Sequence, residues 1–75
     1  MTVRAFIMVK TSTPQKMKEY LERLKEIKEV HLVYGGYDVI VVVETGDMGE
    51  LGRIVLDEIR GRFPVEDTLT LIAAD

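Results

Sequence analysis

No cysteine occurs among the 75 residues, histidine occurs once and proline twice. The missing cysteine excludes disulfides, thiolate zinc sites, iron–sulfur ligation and a cysteine nucleophile. No apolar run approaches the roughly 20 residues of a membrane span, and the N-terminus lacks a signal-peptide core. A soluble, cytoplasmic protein without membrane contacts is the expectation. An excess of positive charge is missing too: 10 Lys and Arg face 13 Asp and Glu, a formal net charge of −3. Phosphate contacts need clustered Lys and Arg, so direct DNA binding is not expected. Disorder is equally unsupported, because 47% hydrophobic and 31% charged residues is a globular balance. A domain this small hides only about 60% of the surface its unfolded chain exposes. Such domains are stabilised by disulfides, a metal or a partner subunit. Self-association is the remedy that remains.

The chain reads as one unit, with no linker or low-complexity stretch. Val3 to Lys10 is a strand, with Val3, Ala5, Ile7 and Val9 on one face and Arg4, Phe6, Met8 and Lys10 on the other. Ser12 or Thr13 can cap a helix whose first turn suits Pro14. Met17, Tyr20, Leu21, Leu24 and Ile27 follow at helical spacing, opposite a charged face. Glu29 to Tyr34 is a second strand, broken by Gly35-Gly36 in a tight turn. Tyr37 to Glu44 contains the unbroken β-branched run Val39–Val43, the mark of a strand covered on both faces. Asp47 and Glu50 form a capping-box pattern ahead of the stripe Leu51, Ile54, Val55 and Ile59. Gly61 and Pro64 stop that second helix. A last strand runs from about Val65 to Ala73.

The order βαββαβ predicts a ferredoxin-like α+β sandwich, a four-stranded antiparallel sheet with both helices on one face. The first and third strands are then central, and both are apolar on two sides. The sheet face away from the helices is left bare, and an uncovered apolar face of that size marks an interface. Packing of sheet on sheet in a homodimer, or pairing across an edge, would cover it.

Candidate chemistry is sparse. His31 is the sole conventional base and sits mid-strand, with no acid or nucleophile beside it in sequence. No phosphate loop or calcium-loop carboxylate spacing occurs. Met8, Met17 and Met48 sit at core or interface spacing, so no cofactor is expected. Asp57 and Glu58 among Arg53, Arg60 and Arg62 describe a solvated helix face; the basic trio also offers contacts to an acidic partner. The segment Tyr34-Gly35-Gly36-Tyr37-Asp38 admits two readings. As a hairpin tip it accounts for the glycines, but it accounts poorly for an acid opening the most apolar strand. As a ligand site it offers a carboxylate beside glycine N–H groups, complementary to the ammonium and carboxylate of an amino acid.

With these residues in view, the chain resembles the effector-binding (RAM) domain of the Lrp/AsnC transcription regulators over essentially its whole length. The resemblance rests on Ala5-Phe6-Ile7-Met8-Val9-Lys10, Val30 through Tyr34, Gly35-Gly36-Tyr37-Asp38 leading into Val39–Val43, and Thr68-Leu69-Thr70-Leu71. Full-length members carry an N-terminal helix-turn-helix that reads DNA. Here the first strand begins at residue 3, so a stand-alone single domain over residues 1–75 is expected.

The resemblance implies dimers assembling into octamers or similar rings, with small effectors, typically amino acids, bound between dimers. It places Gly35, Gly36, Tyr37 and Asp38 in the effector pocket, Asp38 on the ammonium and the glycine N–H groups on the carboxylate. Thr68 and Thr70 are further candidates, although threonine is also simply a good strand former. Full-length regulators of the same family are candidate partners. The expectation is a sensor and not an enzyme. Two rivals share the topology: a small dimeric α/β-barrel enzyme and a purely structural assembly module.

Overall fold

The β-branched run at 39–43 forms an inner strand. In the computed structural model, which describes residues 2–75, β3 (Val39–Thr45) lies between β2 (Ile27–Leu32) and β1 (Val3–Thr11). The fourth strand, β4 (Val65–Ile72), pairs with the other side of β1, giving the order β2-β3-β1-β4 with every pairing antiparallel. Helix α1 (Pro14–Leu21) follows β1, and α2 (Met48–Arg53) follows β3 and continues as a π-helical segment, Ile54–Arg60. This is the ferredoxin-like α+β sandwich the pattern predicts.

Strand alternation decides where the core lies. Ala5, Ile7 and Val9 of β1 and Val39, Val41 and Val43 of β3 are fully buried beneath the helices. Met17 and Leu21 of α1 meet them, together with Leu51 of α2 and Ile54 and Ile59 of the π-helical segment. Each such Val, Leu, Ile or Met side chain contributes about 1.5–3 kcal/mol relative to exposure.

The other sheet face carries Phe6 and Met8, paired with Val42 and Ile40 on one side and with Leu71 and Leu69 on the other. Leu69 and Leu71 stay more than 40% exposed, whereas Val42 is buried although it stands outside the helix-side core. A continuous apolar strip therefore crosses three strands with no helix over it.

Several local boundaries depart from the sequence reading. The first helix ends at Leu21 rather than running to Ile27; Arg23 and Leu24 turn the chain through bonds to Tyr20 and Leu21 carbonyls, and Ile27 enters β2 opposite Val43. Leu24 and Ile27 still reach the core, so tertiary packing satisfies the helical spacing without a helix. β2 consequently ends at Leu32, and Tyr34 leaves the sheet. At the first helix Thr13 stands at the cap position but makes no side-chain cap bond, whereas Asp47 accepts the Glu50 N–H at 2.8 Å as the pattern requires. Gly61 ends the second helix where the sequence places its stop, at φ −78. Crowding accounts for the glycine: a Cβ there would lie 2.9 Å from the carbonyl oxygens of Leu56 and Asp57.

Candidate functional site

The connection between β2 and β3 projects from one end of the sheet. The Val33 N–H donates to the Asp38 carbonyl at 2.9 Å, closing the loop, and the Asp38 N–H donates to the Val9 carbonyl at 2.9 Å. β3 begins only at Val39, opposite Val9, so its ladder offers the Thr11 N–H no main-chain acceptor. The Asp38 carboxylate takes that place, Oδ2 accepting from Thr11 N at 2.9 Å. This is the one hydrogen bond the carboxylate accepts among the described residues. Asp38 is thus better explained by the fold than a hairpin tip alone allows: its charge is held in place by the N–H of the buried Thr11, which satisfies one oxygen.

Gly35 takes φ +123, a conformation that side chains other than glycine adopt only with strain. A Cβ added at Gly35 or at Gly36 would meet nothing within 4 Å among the described residues, so their backbone is open to close approach. Tyr34 is fully exposed. The Tyr37 hydroxyl reaches across the end of β1 and donates to Asp67 Oδ2 at 3.4 Å. Beneath the loop lies a depression of about 270 Å³ lined by Pro14, Leu32, Val33, Tyr34 and Asp38.

The sequence-predicted residues are only partly brought together. Gly35, Gly36, Tyr37 and Asp38 share the loop, with Asp38 lining the depression. Thr68 and Thr70 do not join them: they stand opposite Val9 and Ile7, on the far side of β1 and on the helix face of the sheet. Thr70 lines a different groove with Met48, Leu56 and Ile72. Nothing in the sequence singles out Pro14, Leu32 and Val33 as wall residues, because they converge only after α1 and β2 pack beside the loop. Another concavity, of about 390 Å³, lies where Lys25, Glu26, Glu44 and Gly46 meet. Its charges of both signs stand in open solvent, so it offers no defined recognition.

Elsewhere the side chains serve structure. His31 Nε2 lies 2.9 Å from Glu29 Oε1, with both side chains more than half exposed, an arrangement that carries no base in a cavity. The helix charges at 53–62 are not merely a solvated face. Glu58 Oε1 accepts from the Tyr20 hydroxyl at 2.7 Å and from Arg62 Nε at 2.8 Å, while Arg53 stands 3.8 Å from Oε2. The bonds from Tyr20 and then Arg62 hold the Glu58 carboxyl below its ordinary range. The bond to Glu58 likewise pushes the Tyr20 hydroxyl up, and the Arg62 guanidinium lies 4.6 Å from the Tyr20 ring centroid. Arg53 and Arg62 thus both pair with Glu58 within the chain. Among the described residues no cluster of three His, Asp or Glu side chains stands ready for a metal, and no helix is long and apolar enough to cross a membrane.

A family model described as the Lrp/AsnC ligand binding domain matches residues 4–75. No curated protein matches the chain. Among solved structures, the hypothetical protein PHS023 from Pyrococcus horikoshii is 36% identical, with a TM-score of 0.87 over 97% of this chain and 90% of that one. The Thermus thermophilus protein TTHA0845 is 31% identical, with a TM-score of 0.88 over 97% and 94%. A Neisseria meningitidis structure, the transcriptional regulator NMB0573 in complex with L-Met, shares the fold at 19% identity. Its TM-score is 0.81, over 97% of this chain and 50% of that one.

Proposed function

The chain belongs to the Lrp/AsnC ligand-binding domain family, and from that premise we propose that it is an oligomeric amino-acid sensor whose ligand sits at the 33–38 loop between dimers. One observation carries the reading. Asp38 presents a carboxylate, fixed through one oxygen by Thr11, at the mouth of a depression that no Lys or Arg lines among the described residues. Such an oxygen suits an ammonium, with which it forms a charge-assisted hydrogen bond. The open backbone of Gly35 and Gly36 lets their N–H groups approach the ligand's carboxylate. The L-Met complex of the Neisseria regulator supports an amino acid as the ligand class.

Assembly follows from the bare sheet face. Phe6, Met8, Ile40, Val42, Leu69 and Leu71 form an apolar surface that a second copy covers by packing sheet on sheet. Dimers then associate into an octamer or similar ring around the loops. Thr68 and Thr70 contribute to a pocket only from a neighbouring copy. A ligand bound between dimers shifts assembly by its differential affinity for the associated state. Mixed assembly with full-length regulators of the family is the output, and DNA is not contacted by this acidic domain itself. We assign no catalytic role, because His31 is engaged with Glu29 at the surface.

A thermal-shift screen against the twenty amino acids tests the reading, since a ligand that binds only the native state raises the Tm. At least one amino acid raises it in a concentration-dependent way. A flat response to all twenty overturns the proposal.

A further inference from the structure

We infer that the free edge of β4 pairs antiparallel with the same edge of a second copy, centred on Thr70, so that two sheets join into one. The contact lies apart from the 33–38 loop and does not rest on the ligand reading. The two outer strands of the sheet differ in their protection. β2 exposes Lys28, Glu29 and His31, and its Val30 carbonyl accepts from Lys18 Nζ at 2.9 Å. From Thr68 to Ile72, β4 carries no charge and no proline, the devices that blunt an edge.

The pairing with β1 fixes which groups face outward. The Ala73 N–H donates to the Arg4 carbonyl at 2.8 Å, directly across the ladder. Antiparallel pairs alternate between bonded and non-bonded, so Leu71 and Leu69, opposite Phe6 and Met8, also bond to β1. Thr68, Thr70 and Ile72 therefore turn their N–H and C=O to the side where β4 has no neighbouring strand. Their side chains stand on the helix face, where Thr70 and Ile72 line an apolar groove of about 350 Å³ with Met48 and Leu56. Met48 and Leu56 are more than half exposed. An apolar surface thus lies beside an unpaired edge.

Charge selects the register. With Thr70 opposite Thr70, Thr68 faces Ile72, and the acidic pair Glu66-Asp67 falls beyond the apolar seam. Moving the centre to Leu69 draws Glu66 against Ile72 of the second copy, where a carboxylate has no partner. Moving it to Leu71 draws Asp67 toward Asp75 of the second copy, and like charges directly opposite are destabilising. Thr70 is the centre that avoids both. Threonines facing each other are also a favourable cross-strand pair.

The chain has no cysteine, so introduced cysteines report the register. Facing Cα atoms of a bonded antiparallel pair lie about 5.5 Å apart, within disulfide reach. Under mild oxidation at micromolar concentration, Thr70→Cys forms a covalent dimer, and so does a mixture of Thr68→Cys with Ile72→Cys. Thr68→Cys alone cross-links more slowly, because the pairing sets it against Ile72. A copy packed on the bare sheet face cannot mimic this pattern, since Thr70 stands on the opposite face. Thr70→Lys and Thr70→Asp each lower the mass seen by light scattering, and mixing the two restores it as opposite charges meet. Thr70→Cys that cross-links no faster than Thr68→Cys overturns the inference, whether or not the charged variants fold. So does a Thr70→Lys protein with the mass of the parent. Either result leaves the edge to a different chain.

Discussion

Asp38 and Thr11 meet across 27 positions of sequence, the carboxylate Oδ2 accepting the Thr11 N–H at 2.9 Å. One residue thereby joins the end of β1 to the start of β3 and fixes the charge at the candidate site. Removing the acceptor leaves the N–H of the buried Thr11 unpaired, which costs about 1–3 kcal/mol. Asp38→Ala therefore lowers the Tm by about 4–8 °C for each kcal/mol lost, as expected for a domain of this size. Asp38→Asn loses less. Thermal denaturation of both variants at one protein concentration checks this, and an unchanged Tm for Asp38→Ala contradicts the bridging role.

The two glycines of the loop separate folding from binding. Gly35 at φ +123 incurs strain when substituted, so Gly35→Ala costs about 1–3 kcal/mol. Gly36 has no positive φ, and a Cβ placed on it meets no neighbour within 4 Å. Gly36→Ala therefore leaves stability within about 0.5 kcal/mol of the parent. If a ligand approaches the Gly36 backbone, the same methyl group weakens its thermal shift. Equal ligand responses in parent and Gly36→Ala place the ligand elsewhere.

At the end of the π-helical segment, Gly61→Ala forces a Cβ to within 2.9 Å of two backbone carbonyls. Overpacking of this kind costs about 1–3 kcal/mol. A Tm equal to that of the parent shows that the segment relaxes without cost.

Acid titration isolates Glu58. Its folded-state pKa is lowered by the Tyr20 and Arg62 hydrogen bonds from an ordinary value of 4.5. The stabilisation is present above that ordinary value and is lost as pH falls through the lowered one. Glu58→Gln has a lower Tm at neutral pH and a shallower decline on acidification below about pH 4.5. Parallel pH profiles for the two proteins contradict the coupling.

Much of the fold is legible in the sequence because it depends on local period and composition. The alternation of Val3–Lys10 and the β-branched run at 39–43 identify the inner strands, and Asp47 with Glu50 marks the second helix start. The helix end at Leu21 is not legible, since the Leu24 and Ile27 spacing fits a helix and a turn into β2 equally well. Gly61 reads as a helix stop, but the crowding by the Leu56 and Asp57 carbonyls that requires a glycine there is a product of the π-helical turn. At the site, the Gly35–Asp38 segment stands out by composition, but its partner Thr11 and its walls Pro14 and Leu32 are products of packing. Thr68 and Thr70 are drawn toward that segment by resemblance, and strand order sets β1 between them and Asp38. The Glu58 network escapes sequence reading for the same reason, because Tyr20 lies 38 positions away.

The central claim is that ligand binding and assembly are coupled, and light scattering over a dilution series with and without the amino acid that gives the largest thermal shift tests it most directly. The account predicts a mass of at least twice the 8.5 kDa chain at micromolar concentration. It also predicts that this amino acid shifts the concentration at which the assembly dissociates, because a ligand favouring one state moves the equilibrium toward it. A stable monomer of 8.5 kDa, unmoved by that amino acid at every concentration, contradicts it.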